Sequence, residues 1–133
     1  MQIDELNIEG FGVLENTNLY SIGAGLVIVY GLNGSGKTTL QSFLQSLLFS
    51  ARKQRSNPEY QPHSGGQHKG TVRLRTRLGA AYELRGNFSA AATQDKVKLI
   101  PLHGAQQIDR EYLVAHAGRE LTTSVFSIGL HEL

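Results

Sequence analysis

The sequence predicts an α/β fold with a mixed sheet that includes an antiparallel, β-rich N-terminal portion, and three observations carry that reading. Leu26-Val27-Ile28-Val29-Tyr30 is apolar without interruption and rich in β-branched residues, the composition of a strand covered on both faces. A glycine-rich turn follows at once, and then Leu40, Phe43, Leu44, Leu47 and Leu48 recur at the spacing of one helical face. Elsewhere the period is two: Val72, Leu74, Thr76 and Leu78 alternate with Arg73, Arg75 and Arg77, as in a half-covered antiparallel strand.

Taken in order, residues 3–11 read as a strand, with Leu6 and Ile8 on one face and Glu5, Asn7 and Glu9 on the other. Gly10 and Gly12 around Phe11 mark a bend, and a short strand is expected over about 15–22. Strand 26–30, the glycine turn and the helix follow. Pro58, Pro62 and Ser64-Gly65-Gly66 make 52–70 irregular. Residues 72–78 and 82–88 form a hairpin across Gly79-Ala80-Ala81. Residues 96–102 alternate as a further strand, with Val97 and Leu99 opposite Lys96 and Lys98. Residues 106–117 read as a helix stopped by Gly118, and 119–128 as helical through Leu121, Val125 and Ile128.

A chain of 133 residues supports one hydrophobic core, so residues 1–133 are expected to form a single lobe. No apolar run approaches the roughly 18–20 residues that a membrane helix needs. The opening Met1-Gln2-Ile3-Asp4-Glu5 is acidic, unlike a secretory leader, and the absence of cysteine excludes disulfides and thiolate metal sites. These features fit the cytoplasm and no membrane partner. Charge is unevenly spread. No Lys or Arg precedes Lys37, whereas residues 52–85 hold eight basic side chains against two acidic ones. Such a run invites a polyanion or is a solvated face.

Gly31-Leu32-Asn33-Gly34-Ser35-Gly36-Lys37-Thr38 matches G-x-x-x-x-G-K-[ST] in full. Gly31, Gly34 and Gly36 allow backbone angles that other residues resist, and let the chain approach an anion with no Cβ in the way. The N–H groups from Asn33 through Ser35 to Thr39 then form a cradle at a helix start. Lys37 is placed to reach the β- and γ-phosphates of a nucleoside triphosphate, Thr38 to ligate Mg²⁺, and Thr39 to meet the α-phosphate. Neither an N-K-x-D nor a D-x-x-G motif of the Ras-type GTPases is present, which favours ATP.

Residues 1–12, ending in Gly10-Phe11-Gly12, and 25–40, with Asn33-Gly34-Ser35-Gly36-Lys37-Thr38, resemble the opening of SMC-like ATPases of the SbcC and RecF kind, and within them the YhaN-like group. His63–Gly70 leading into an arginine-rich strand, and Val125–Leu133, are similar to further segments of that group. The resemblance implies the N-terminal lobe of an ABC/SMC-type P-loop head: ATP and Mg²⁺ as ligands, a role in DNA repair or DNA metabolism, and DNA and a nuclease subunit among its partners. It also implies a C-terminal lobe or second head subunit that supplies the Walker B carboxylates and the signature motif. Neither motif is found here, so the chain reads as a fragment or a reduced relative, with ATP hydrolysis by the isolated residues slow or absent. A non-catalytic ATP-gated interaction module and a small P-loop kinase are the alternatives.

Arg73, Arg75 and Arg77 on one strand face, joined by Lys96 and Lys98, are candidates for DNA backbone contacts, against the plainer reading of a solvated face without aromatic residues for stacking. His63 and His68 are expected to be solvated rather than a metal pair, since no third ligand is nearby.

Overall fold

In the computed structural model, which describes residues 1–49, 60–89 and 97–115, the alternating segments become five strands and the leucine stripe becomes one helix. They are β1 (Gln2–Phe11), β2 (Leu14–Leu19), α1 (Lys37–Phe49), β3 (Lys69–Arg75), β4 (Ala81–Asn87) and β5 (Val97–Leu102). The sheet order is β2-β1-β3-β4-β5, and every pairing is antiparallel. β1 therefore pairs with β3 across the whole glycine loop and α1, and the helix packs back onto one face of the sheet.

That face is set by strand parity. Leu6, Ile8, Val72, Leu74, Tyr82 and Leu84 are buried beneath Phe43, Leu44, Leu47 and Leu48 of the helix. Gly70 and Gly86 stand opposite each other in the β3–β4 register. A Cβ on Gly70 would lie 2.6 Å from the Phe43 ring and 2.6 Å from the Asn7 carbonyl oxygen, and one on Gly86 would lie 2.6 Å from Leu47 Cδ2. The two glycines thus make a shallow pit in which two helix side chains sit. Phe11 closes the end of this core, edge-on to Phe43 and Phe88 and stacked on Tyr60 at 5.0 Å.

The opposite face is a lattice of charges. Glu5, Arg73 and Glu83 lie in register across β1, β3 and β4. Arg73 bonds Glu5 at 2.7 Å and Glu83 at 3.3 Å, and Glu83 also accepts from Arg85 at 2.6 Å. Asp4 holds Arg75 at 2.8 Å, and Glu9 holds Lys69 at 3.0 Å. Burial pushes the Glu83 carboxyl up, but the bonds and charges of Arg85 and Arg73 outweigh it and leave its pKa below the usual carboxylate value.

Four expectations need correction. β2 ends at Leu19 rather than about 22, because Ser21 takes a left-handed φ of 54° and the Ile22 N–H turns to the Asp4 carbonyl. The expected strand 26–30 is not one: the segment is irregular, and Leu26, Ile28 and Tyr30 are 87%, 72% and 91% exposed. A strand apolar on both faces needs neighbours on both sides and a layer above and below. The described strands offer this segment no pairing, so the sheet is antiparallel throughout rather than mixed. The helix expected from 106 starts at 110, after Asp109, a good N-terminal cap, and the Gln106 carbonyl instead accepts the Tyr82 hydroxyl. His68 is buried at 7% between Phe11 and Phe88 rather than solvated, while His63 is exposed. Lys96, the end of the 106–117 helix and the 119–128 segment lie outside the described residues, as does much of the 52–70 loop.

Candidate nucleotide-binding site

The loop between the apolar run and α1 is shaped by its glycines. Gly34 and Gly36 have φ of 83° and 92°, angles that side-chain-bearing residues rarely adopt. At Gly31 a Cβ would come 2.6 Å from the Ser35 hydroxyl, and at Gly36 one would come 2.8 Å from Leu14 Cδ2. The Ser35 N–H closes a turn onto the Leu32 carbonyl at 3.1 Å. Lys37 folds back over this turn, its ammonium donating to the carbonyls of Gly31 at 2.7 Å and Leu32 at 2.9 Å. One cation therefore gathers the start of the loop and stands above its mouth.

Helix α1 begins at that lysine. Its first i to i−4 bond runs from the Leu40 N–H to the Gly36 carbonyl at 2.8 Å, so the amides of Lys37, Thr38 and Thr39 have no acceptor within the helix. No acidic side chain occupies the first turn. The positive end of the helix dipole thus has no carboxylate of its own first turn beside it. Thr38 is exposed beside Lys37, and Asn33, Gly34 and Ser35 are exposed on the loop. The structure brings Gly31, Asn33, Gly34, Ser35, Gly36, Lys37, Thr38 and Thr39 together on one turn and one helix start.

Sequence reasoning missed the neighbours of this loop. Phe11 and Leu14 pair across a two-residue turn of Gly12 and Val13, with Gly12 at φ 58°, so glycine leads the hairpin as such turns require. A Cβ on Gly12 would lie 3.0 Å from Thr39 Cγ2, and one on Gly36 would lie 3.1 Å from Val13 Cγ2. The hairpin tip thus presses on the glycine loop. On its other side residues 60–66 clasp it. Gly12 N–H donates to the Tyr60 carbonyl at 2.7 Å, His63 N–H to the Gly12 carbonyl at 3.4 Å, and Ser64 N–H to the Glu15 carboxylate at 2.9 Å. The Ser64 backbone and hydroxyl bonds hold the Glu15 carboxyl below its ordinary pKa. The Gly-Phe-Gly bend was the one trace of this contact in the sequence.

The arginine face lies elsewhere. Arg73 and Arg75 belong to the salt-bridged side of the sheet, each already bonded to a carboxylate, and Arg77 stands past the end of β3. Among the described residues no three His, Asp or Glu side chains gather as a metal cluster. No described helix is long and apolar enough to cross a membrane.

A glycine-shaped turn at a helix start, with one lysine over it and a sheet behind, is an arrangement consistent with a nucleotide-binding, ATPase-like domain. The family assignment agrees: residues 5–124 match a family described as an AAA domain, and the chain belongs to it. Over 72 residues, 54% of this chain, it is 33% identical to the uncharacterized protein YhaN of Bacillus subtilis (strain 168). That match spans 7% of the relative's length. The resemblance to SMC-like ATPases of the YhaN-like group is thereby borne out. No solved structure matches the chain.

Proposed function

We propose that the chain binds Mg-ATP through Gly31–Thr38 and serves as the N-terminal half of an SMC/ABC-type ATPase head acting in DNA repair or DNA metabolism. The observation that carries the reading is the Lys37 ammonium, bonded to the carbonyls of Gly31 and Leu32 above a helix start whose first amides have no acceptor within the helix. Lys37 holds the β- and γ-phosphates as a point charge, the amides of Asn33 to Thr39 take the phosphate oxygens, and Thr39 faces the α-phosphate. Thr38 would hold magnesium. A single hydroxyl suits an ion that keeps several waters and takes its remaining ligands from phosphate. When bound, the ion supplies charge neutralisation across the β- and γ-phosphates.

Binding and turnover separate here. Hydrolysis requires a group to orient water and a second surface to close on the γ-phosphate, and a C-terminal lobe or a second head subunit provides both in this reading. The exposed run Leu26–Tyr30, which leads straight into the loop, supports such a completed head over the kinase alternative, because a central strand of a larger sheet needs that composition. The ATP-gated module without turnover differs only in what the completing chain supplies. DNA and a nuclease subunit are partners of the assembled head. The ion pairs at Arg73 and Arg75 lend no support to a DNA contact there.

A titration with a fluorescent ATP analogue and magnesium tests the proposal. The chain takes it up saturably, and Lys37→Ala weakens uptake at least tenfold at unchanged thermal stability. Equal affinity in the variant contradicts the assignment.

A further inference from the structure

Three contacts of Tyr60 converge on the elements that flank the glycine loop. Its carbonyl accepts the Gly12 N–H at 2.7 Å, its ring stacks on Phe11 at 5.0 Å, and its hydroxyl accepts from the Ser42 hydroxyl at 2.9 Å. Gly12 is pinched in consequence: a Cβ there would lie 3.3 Å from the Tyr60 ring and 3.0 Å from Thr39 Cγ2. Ser42 stands four residues after Thr38 in α1, so it lies one turn further along the same helix face. Tyr60 thus meets the helix twice, at Ser42 through its hydroxyl and at Thr39 by way of Gly12. Packing on Phe11 asks only for an aromatic ring, which phenylalanine would supply. The hydroxyl adds what the ring cannot, a directional bond from the helix to a segment that is itself bonded to the β1–β2 turn.

We propose that Tyr60 is a positioning residue for the glycine loop. Its bond with Ser42 fixes the first turns of α1 against the β1–β2 hairpin, so that the amides of Lys37, Thr38 and Thr39 keep one direction before an anion arrives. This rests on phosphate binding by Gly31–Thr38 and assigns part of its strength to a residue outside the motif. The loop needs such a brace. Leu26–Tyr30, which enters it, is exposed and pairs with no strand among the described residues, so the helix side carries the anchoring. A helix start that can shift pays an ordering cost on binding, and one already held does not. The bond joins two half-buried hydroxyls, so its loss is modest and leaves the apolar packing in place.

The experiment is a double-mutant cycle read by calorimetric titration with Mg-ATP. It uses the parent 133-residue chain, Tyr60→Phe, Ser42→Ala and the double variant, with thermal melting and nucleotide-free amide spectra beside each. Tyr82→Phe is the control, since it removes a hydroxyl bonded to the Gln106 carbonyl at 3.2 Å, away from the loop. The proposal expects Tyr60→Phe and Ser42→Ala each to weaken Mg-ATP binding about two- to fivefold, the worth of one such bond. The double variant loses no more than either alone, the Lys37 to Thr39 amide resonances move in both single variants, and Tyr82→Phe binds as the parent does. Parent affinity in Tyr60→Phe overturns the brace and leaves phosphate binding standing, as do unmoved Lys37 to Thr39 resonances. Additive losses overturn it too, because the two hydroxyls would then act separately. So does an equal loss in Tyr82→Phe, because affinity would then follow general stability. If the parent itself takes up no Mg-ATP, the phosphate-site reading fails and the brace falls with it.

Discussion

The β3–β4 hairpin and the 26–30 segment are both strand-like in sequence, and their fates differ. In the hairpin, Val72, Leu74, Tyr82 and Leu84 find the helix above them and paired strands on both sides, and all are buried. In Leu26–Tyr30 every residue is apolar, and all five are exposed. The difference teaches that apolar composition states what a segment requires, not where it sits. An alternating strand asks for one covering layer, which α1 provides. A continuously apolar strand asks for two layers and two neighbours, and the described residues provide neither. Residues 26–30 also lead directly into the glycine loop, so the least satisfied stretch among the described residues adjoins the candidate site.

This comparison can be broken by substitution. Phe43→Ala removes a fully buried ring that meets Phe11 and the Gly70 pit, and should cost about 3–5 kcal/mol in unfolding free energy. Denaturant melts read that loss directly. A smaller effect should follow pH through the charged face. Glu83 has a folded pKa below its ordinary 4.5, so its ion pairs stabilise fully above that value. The contribution fades as pH drops below 4.5 and through the lower folded value. Urea midpoints of the parent and Glu83→Gln should therefore differ at pH 7 and converge in acid. Smallest of all, Ile28→Ser should change stability by no more than about 0.5 kcal/mol, because its side chain is already in water. A loss of 2 kcal/mol or more would show that the segment is packed and that the contrast drawn here is false.

Much of this arrangement was legible in the residues themselves. The alternation in 3–11, 72–78 and 82–88 gave β1, β3 and β4 because sheet parity leaves a period of two whatever lies above it. The stripe from Leu40 to Leu48 gave α1 for the matching reason at a helical period. The eight-residue motif located the loop, since its glycines are demanded locally. What local pattern does not carry is adjacency between distant segments. Nothing about Val13 or Glu15 advertises that a hairpin tip would sit on Gly36, or that Ser64 would close on it from 49 residues away. The arginines misled in the same way. Their spacing put Arg73 and Arg75 on one face, but only the register of β1 and β4 placed Glu5, Asp4 and Glu83 within reach of them.

The central claim is that backbone amides at the mouth of α1 receive a triphosphate. Amide-resolved NMR during a Mg-ATP titration tests it most directly. The account predicts saturable shifts concentrated on Asn33 to Thr39, with Gly12 and Val13 moving alongside and the amides of Arg73 and Arg75 staying still. Shifts that centre on the arginine face, or a loop that stays unmoved at saturating nucleotide, would contradict it.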